Sequence, residues 1–79
     1  MNAAEHFDFA VSRAMEYVDA GDGGDAMNSL ISDFNKHPGT KGILTADLTG
    51  LFYGEVMLGG AAGAKRFIEG LPRPVNSNA

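Results

Sequence analysis

Three groups of residues in this chain have types suited to chemistry: the carboxylates Asp19, Asp22 and Asp25, the two histidines His6 and His37, and the run Gly59-Gly60-Ala61-Ala62-Gly63-Ala64-Lys65-Arg66. Carboxylates hold calcium when they alternate along a loop and a glutamate closes the site at the twelfth position. Here they fall three apart and no downstream glutamate fits. Zinc needs convergent donors, and no His-x-x-x-His pair exists to place two imidazoles on one helix face. The glycine run stands ahead of a basic pair, as in a phosphate loop, but lacks the Gly-Lys-Ser/Thr ending and a preceding strand. Ser12, Ser29, Ser32 and Ser77 are nucleophiles by type only, since none sits in a Gly-x-Ser-x-Gly elbow. The sequence therefore predicts no catalytic residue, no cofactor and no metal, and a protein that is not an enzyme.

The same residues make sense as punctuation between helices. Gly21 can adopt the left-handed conformation that closes a helix, and Asp22 can then cap the next one, with Asp25 in its first turn. A first helix is predicted from about Ala3 to Ala20, its stripe being Ala3, Phe7, Ala10, Val11, Ala14, Met15 and Val18. Asn2 with Glu5 forms a capping box at its start. The second is predicted from about Gly23 to His37, with Ala26, Met27, Leu30, Ile31 and Phe34 inward. Lys36 and His37 then lie in its last turn, facing exposed carbonyls, and Pro38 ends it. So short a link makes the two helices an antiparallel hairpin. Residues 40–44 are a connector with room for a single helical turn. Thr45 caps a third helix over about Ala46 to Leu58, Gly59-Gly60 ends it, and a fourth covers Ala61 to Glu69. Gly70 and Leu71 fit a Schellman close, with Leu71 packing back on the last turn. The expected fold is all-α, a small four-helix bundle in one domain over residues 1–71, with residues 72–79 as a flexible tail.

Composition limits the function classes. The chain has 79 residues, 44% hydrophobic and 20% charged, with net charge −4 and no cysteine. A domain of this size buries only about 60% of its unfolded surface. Without disulfides or thiolate metal sites, stability must come from tight helix packing or from association with another copy. The six basic residues are scattered, which counts against a phosphate-backbone binder. The N-terminus carries no basic region followed by an apolar run, and no segment reaches the ~20 apolar residues of a membrane span. A cytoplasmic protein without a membrane partner is expected.

Apolar residues beyond what one core stripe can use make the third helix either the central, most buried one or part of an interface. Phe9, Tyr53, Val56 and Met57 fit poorly on the buried faces, and Lys36, His37 and Lys41 crowd one turn. These seven form the candidate interaction surface. Two resemblances accompany this reading. Tyr17, Gly21, Asp22, Ala26, Leu30 and Pro38 are spaced as in one tetratricopeptide unit, although Ala14 and Asp33 depart from that pattern and no second copy follows. The segment Ser32-Asp33-Phe34-Asn35-Lys36-His37-Pro38-Gly39-Thr40, with Arg66-Phe67-Ile68-Glu69-Gly70 downstream, resembles small uncharacterised proteins of actinobacterial phages. That resemblance implies a helical accessory protein made in an infected bacterium. The function expected is a non-enzymatic interaction protein that binds itself as a homodimer and also a bacterial host protein. The alternative is a helix-turn-helix regulator with its third helix in a DNA groove, which the acidic charge disfavours.

Overall fold

The computed structural model describes residues 1–75. Helix α1 (Ala3–Asp19) begins at the capping box: Asn2 Oδ1 accepts from the Glu5 amide at 2.8 Å, and Glu5 Oε1 accepts from the Asn2 amide at 3.0 Å. It closes in a Schellman turn. Gly21 sits at φ +80, the Asp22 amide donates to the Tyr17 carbonyl at 2.9 Å, and the Gly21 amide donates to Val18 at 2.9 Å. Asp22 then caps α2 (Gly23–Phe34), accepting from the Asp25 amide at 2.9 Å. The two helices pack as an antiparallel hairpin.

The second helix stops three residues earlier than expected. The residue before a proline is pushed out of helical space, and His37 is extended (φ −137, ψ 129). Its imidazole therefore does not cap the end of α2. Instead it starts α3 (Pro38–Lys41), a single turn, where His37 Nδ1 accepts from the Gly39 amide at 2.8 Å. Thr40, fully buried, donates its hydroxyl to the Phe34 carbonyl at 2.8 Å and so satisfies the end of α2.

Helix α4 (Ala46–Glu69), capped by Thr45, is two helices joined at a sharp bend, where Gly60 has φ 59 and ψ −136. Phe52 and Phe67 would stand about 22 Å apart along a straight helix. Here their rings stack with centroids 4.2 Å apart and planes 12° apart. The limbs 46–59 and 61–69 therefore fold back on each other, with the reversal at the expected Gly59-Gly60. A Cβ on Gly63 would collide with the Glu55 carbonyl, so this approach needs glycine. At the other end Gly70 keeps a negative φ, and the expected left-handed close does not form, although Leu71 still packs on the core.

The result is the expected all-α bundle, without strands among the described residues. Its core joins Phe7, Ala10 and Ala14 of α1 to Ala26, Leu30 and Phe34 of α2, and to Phe52, Ala64 and Ile68 of α4. Alanines between the large rings let α1 approach closely, and Phe7 stacks on Phe34 at 5.5 Å. Each fully buried Phe or Leu contributes about 1.5–3 kcal/mol. Residues 72–75 are irregular, but Arg73 donates two 2.9 Å bonds to the carboxylate of Asp8. The rest of the predicted tail, 76–79, lies outside the described residues.

Candidate interaction surface

The first limb of α4 buries one side and exposes the other. Phe52 is fully buried and Val56 packs against the core, so the face between them is the inner one. On the far side Leu51, Tyr53, Met57 and Leu58 are 61%, 55%, 67% and 90% exposed. At 100° per residue, Gly50, Gly54 and Met57 lie along the middle of that outer face. Tyr53 stands on one flank, Leu51 and Leu58 on the other. A methyl group at Gly50 or Gly54 would meet nothing within 4 Å, so nothing inside the molecule calls for glycine at either position. Each glycine nevertheless costs about 1 kcal/mol against alanine in a helix interior.

Charge is sparse on this face. Asp47 is its one carboxylate, in the first turn. Glu55 is turned toward the second limb, where its carboxylate lies 3.4 Å from Arg66 Nε. The Arg66 guanidinium also lies over Gly59, 2.9 Å from where a Cβ there would be. Between the limbs runs a groove of about 390 Å³, lined by Leu48, Leu51, Phe67, Leu71 and Pro72 with the Glu55–Arg66 pair at its side. Leu48 and Leu51 line this groove, and Leu58 points to solvent. Periodicity could have shown that Leu51 and Leu58 share a face, but not which side that face takes.

Three of the predicted surface residues gather elsewhere, around the carboxylate of Asp33. Asp33 is only 2% exposed, and Arg13 Nε lies 2.8 Å from one of its oxygens, Lys36 Nζ 3.2 Å from the other. The Arg13 contact is close but not aligned as a hydrogen bond. His6 Nε2 donates to the Asp33 carbonyl at 2.6 Å, and its ring stacks on His37 at 5.1 Å. Since His37 Nδ1 is an acceptor, its proton is on Nε2, which donates to the Met1 carbonyl at 2.9 Å. Phe9 is 44% exposed beneath the Arg13 guanidinium, 5.6 Å from ring centroid to Cζ. His37 thus ties Met1 and α3 to His6 of α1, while Lys36 pairs with Asp33 and Phe9 lies under Arg13. Lys41 is exposed on α3. Tyr53 and Met57 alone among the seven lie on the open face of α4.

Two exposed carboxylates have shifted acidities. The hydrogen bond from Arg73, with the attraction of its charge, holds Asp8 below the usual carboxylate range. Asp25 is raised, chiefly by its hydrogen bond with Asp22 and then by the repulsion between the two carboxylates. No cluster of three or more potential metal ligands occurs among the described residues. None of their helices is long and apolar enough to cross a membrane. A second groove, about 300 Å³, lies between α1 and α2; Arg13, Tyr17, Asn28 and Ser32 line it, and Ser29 Oγ is buried there without a hydrogen-bond partner. No family of proteins, no curated protein and no solved structure matches this chain.

Proposed function

We propose that this chain is a small non-enzymatic interaction protein whose contact surface is the outer face of the first limb of α4. The observation that carries this reading is the row Leu51, Tyr53, Met57 and Leu58, all more than half exposed on one helix. Single exposed apolar residues are ordinary, but four on the outer side of one short limb, beside an apolar groove, suit a binding surface. The non-enzymatic part is supported by the use made of the histidines, His37 through both ring nitrogens and His6 through Nε2, each to backbone groups. A groove-reading DNA helix would present cations on its open face, and this one presents Asp47. The resemblance to small phage proteins favours a bacterial host protein as a further partner.

The test is a photo-crosslinking residue at position 53 in the full chain, expressed in bacterial cells. A discrete crosslinked product is expected, lost when Leu58→Glu is added. The variant should melt as the parent does, because Leu58 is 90% exposed. Diffuse crosslinking, or a product indifferent to Leu58→Glu, counts against the reading.

A further inference from the structure

We infer that the groove between α1 and α2 binds a guanidinium group, seated between the Asp25 carboxylate and the Tyr17 ring. This site is separate from the outer face of α4 proposed above as a contact surface. Asp25, Asn28, Ser29, Ser32 and Asp33 recur at steps of three and four, so they share one face of α2. Arg13 and Tyr17, four apart on α1, line the other wall. The groove therefore has two ends. Arg13 closes one of them on Asp33, and Asp25 lies about 12 Å away along α2, toward Tyr17.

Two observations point to a ligand there. Among the described residues, only two buried side-chain oxygens take part in no hydrogen bond, Ser29 Oγ and Asp33 Oδ2, and both residues line this groove. An unpaired buried polar atom is costly, so such atoms are few and call for a partner. Charge is the second observation. From Arg13 to Lys36 the chain carries five carboxylates and two cations, and both cations engage Asp33. Among the described residues, Glu16, Asp19, Asp22 and Asp25 have no ion-pair partner. Positive charge is thus what the Asp25 end lacks. The residue types select its form. A guanidinium is planar, with donors along its edges and a flat face that stacks on aromatic rings. One edge donates to Asp25. Another donates to Ser29 Oγ, whose hydroxyl turns to the ligand by rotation about Cα–Cβ. The flat face lies on Tyr17, which is 39% exposed and so open to it. An ammonium carries the same charge but has no face to stack. At about 300 Å³ the groove suits a group of this size.

The experiment titrates the full chain with methylguanidinium at constant ionic strength, read by amide chemical shifts, with methylammonium as the control of equal charge. Shifts should concentrate at Tyr17, Asp25, Asn28 and Ser29 and saturate with a Kd of about 1–10 mM, as suits so small a ligand. Methylammonium should bind about tenfold more weakly or not at all. Asp25→Asn, which leaves the Asp22 cap in place, should weaken methylguanidinium by about tenfold. Ser29→Ala should also weaken it, yet melt no lower than the parent, because it deletes an unpaired hydroxyl. A blocked Gly-Arg-Gly peptide that binds about tenfold tighter than methylguanidinium would assign the group to an arginine of a partner protein. Equal binding would assign it to a free small molecule. Three results would overturn the inference: no saturation below about 50 mM, equal shifts from methylammonium, or a Ser29→Ala variant that binds as the parent does.

Discussion

Two of the helix-to-helix reversals among the described residues are built from different materials. Between α1 and α2 the turn is closed by polar groups within a few residues of one another: Gly21 at φ +80, the Asp22 and Gly21 amides on α1 carbonyls, and the Asp22 carboxylate on Asp25. Between the limbs of α4 the backbone swings through Gly60, and the closure comes from packing. Phe52 stacks on Phe67, and the Gly63 backbone presses on the Glu55 carbonyl. The first hairpin is specified by local hydrogen bonding and the second by shape. The second also faces outward: its first limb exposes an apolar side that the first hairpin has no counterpart for.

The largest effect that distinguishes them should come from removing a ring. Phe52→Ala is expected to cost about 3–5 kcal/mol, because the side chain is fully buried and its cavity would separate the limbs. A domain of this size has roughly 4–12 kcal/mol in all. Denaturant unfolding should therefore show the variant largely or wholly unfolded in mild conditions. Asp22→Ala, at the first hairpin, should cost only about 1 kcal/mol, the usual value of an N-cap. If the two losses came out equal, the contrast between a packed and a capped reversal would not hold.

A sharper comparison uses one substitution at two positions nine residues apart. Gly63→Ala places a methyl group on the Glu55 carbonyl and should destabilise by about 1–3 kcal/mol, the range for overpacking a tight contact. Gly54→Ala finds open space at a helical position and should stabilise the monomer by about 1 kcal/mol. Thermal melts of dilute protein would then move in opposite directions, each by about 4–8 °C per kcal/mol. Equal signs would show that the limbs are not held in this embrace.

What could be read from the sequence follows the same division. Asn2 with Glu5, Gly21 with Asp22, Thr45 with its helix, and the Gly59-Gly60 break were all legible, because each works over three or four residues. The faces of the second half were not. Leu48, Leu51, Phe52 and Leu58 are alike in type, and only tertiary placement makes Phe52 core and Leu58 surface. Tyr53 and Met57 were recognisable as surplus to one buried stripe, which is why part of the exposed face of α4 could be anticipated. His37 was misplaced for a related reason. Its bonds reach Met1, thirty-six residues away, and its stacking partner is His6, so adjacency to Pro38 suggested a helix end where the structure makes a helix start.

That misplacement gives a smaller test. His37→Ala removes the acceptor for the Gly39 amide, the donor to Met1 and the ring against His6. A loss of about 1 kcal/mol is expected, in line with a cap, together with faster amide exchange at Gly39 and Thr40. Exchange changes confined to the last turn of α2 would instead restore the helix-end role.

The smallest effects separate two exposed carboxylates by sign. Asp8 is held below its ordinary value of 3.8 by Arg73, so its contribution is present above that value and is lost as pH falls through the folded one. Asp25 is raised above 3.8 by Asp22, so its contribution is present below that value and is lost as pH rises through the folded one. Asp8→Asn should therefore lower the thermal midpoint near neutral pH and leave it unchanged at about pH 2. Asp25→Asn should shift the midpoint more favourably near neutral pH than at about pH 2, because the carboxylate repulsion it relieves exists only when both groups are ionised. Both shifts should amount to a few degrees at most, as for other exposed pairs. Parallel rather than opposite pH trends would mean that Arg73 is not bound to Asp8 in solution, and that the 72–75 segment does not strap α1.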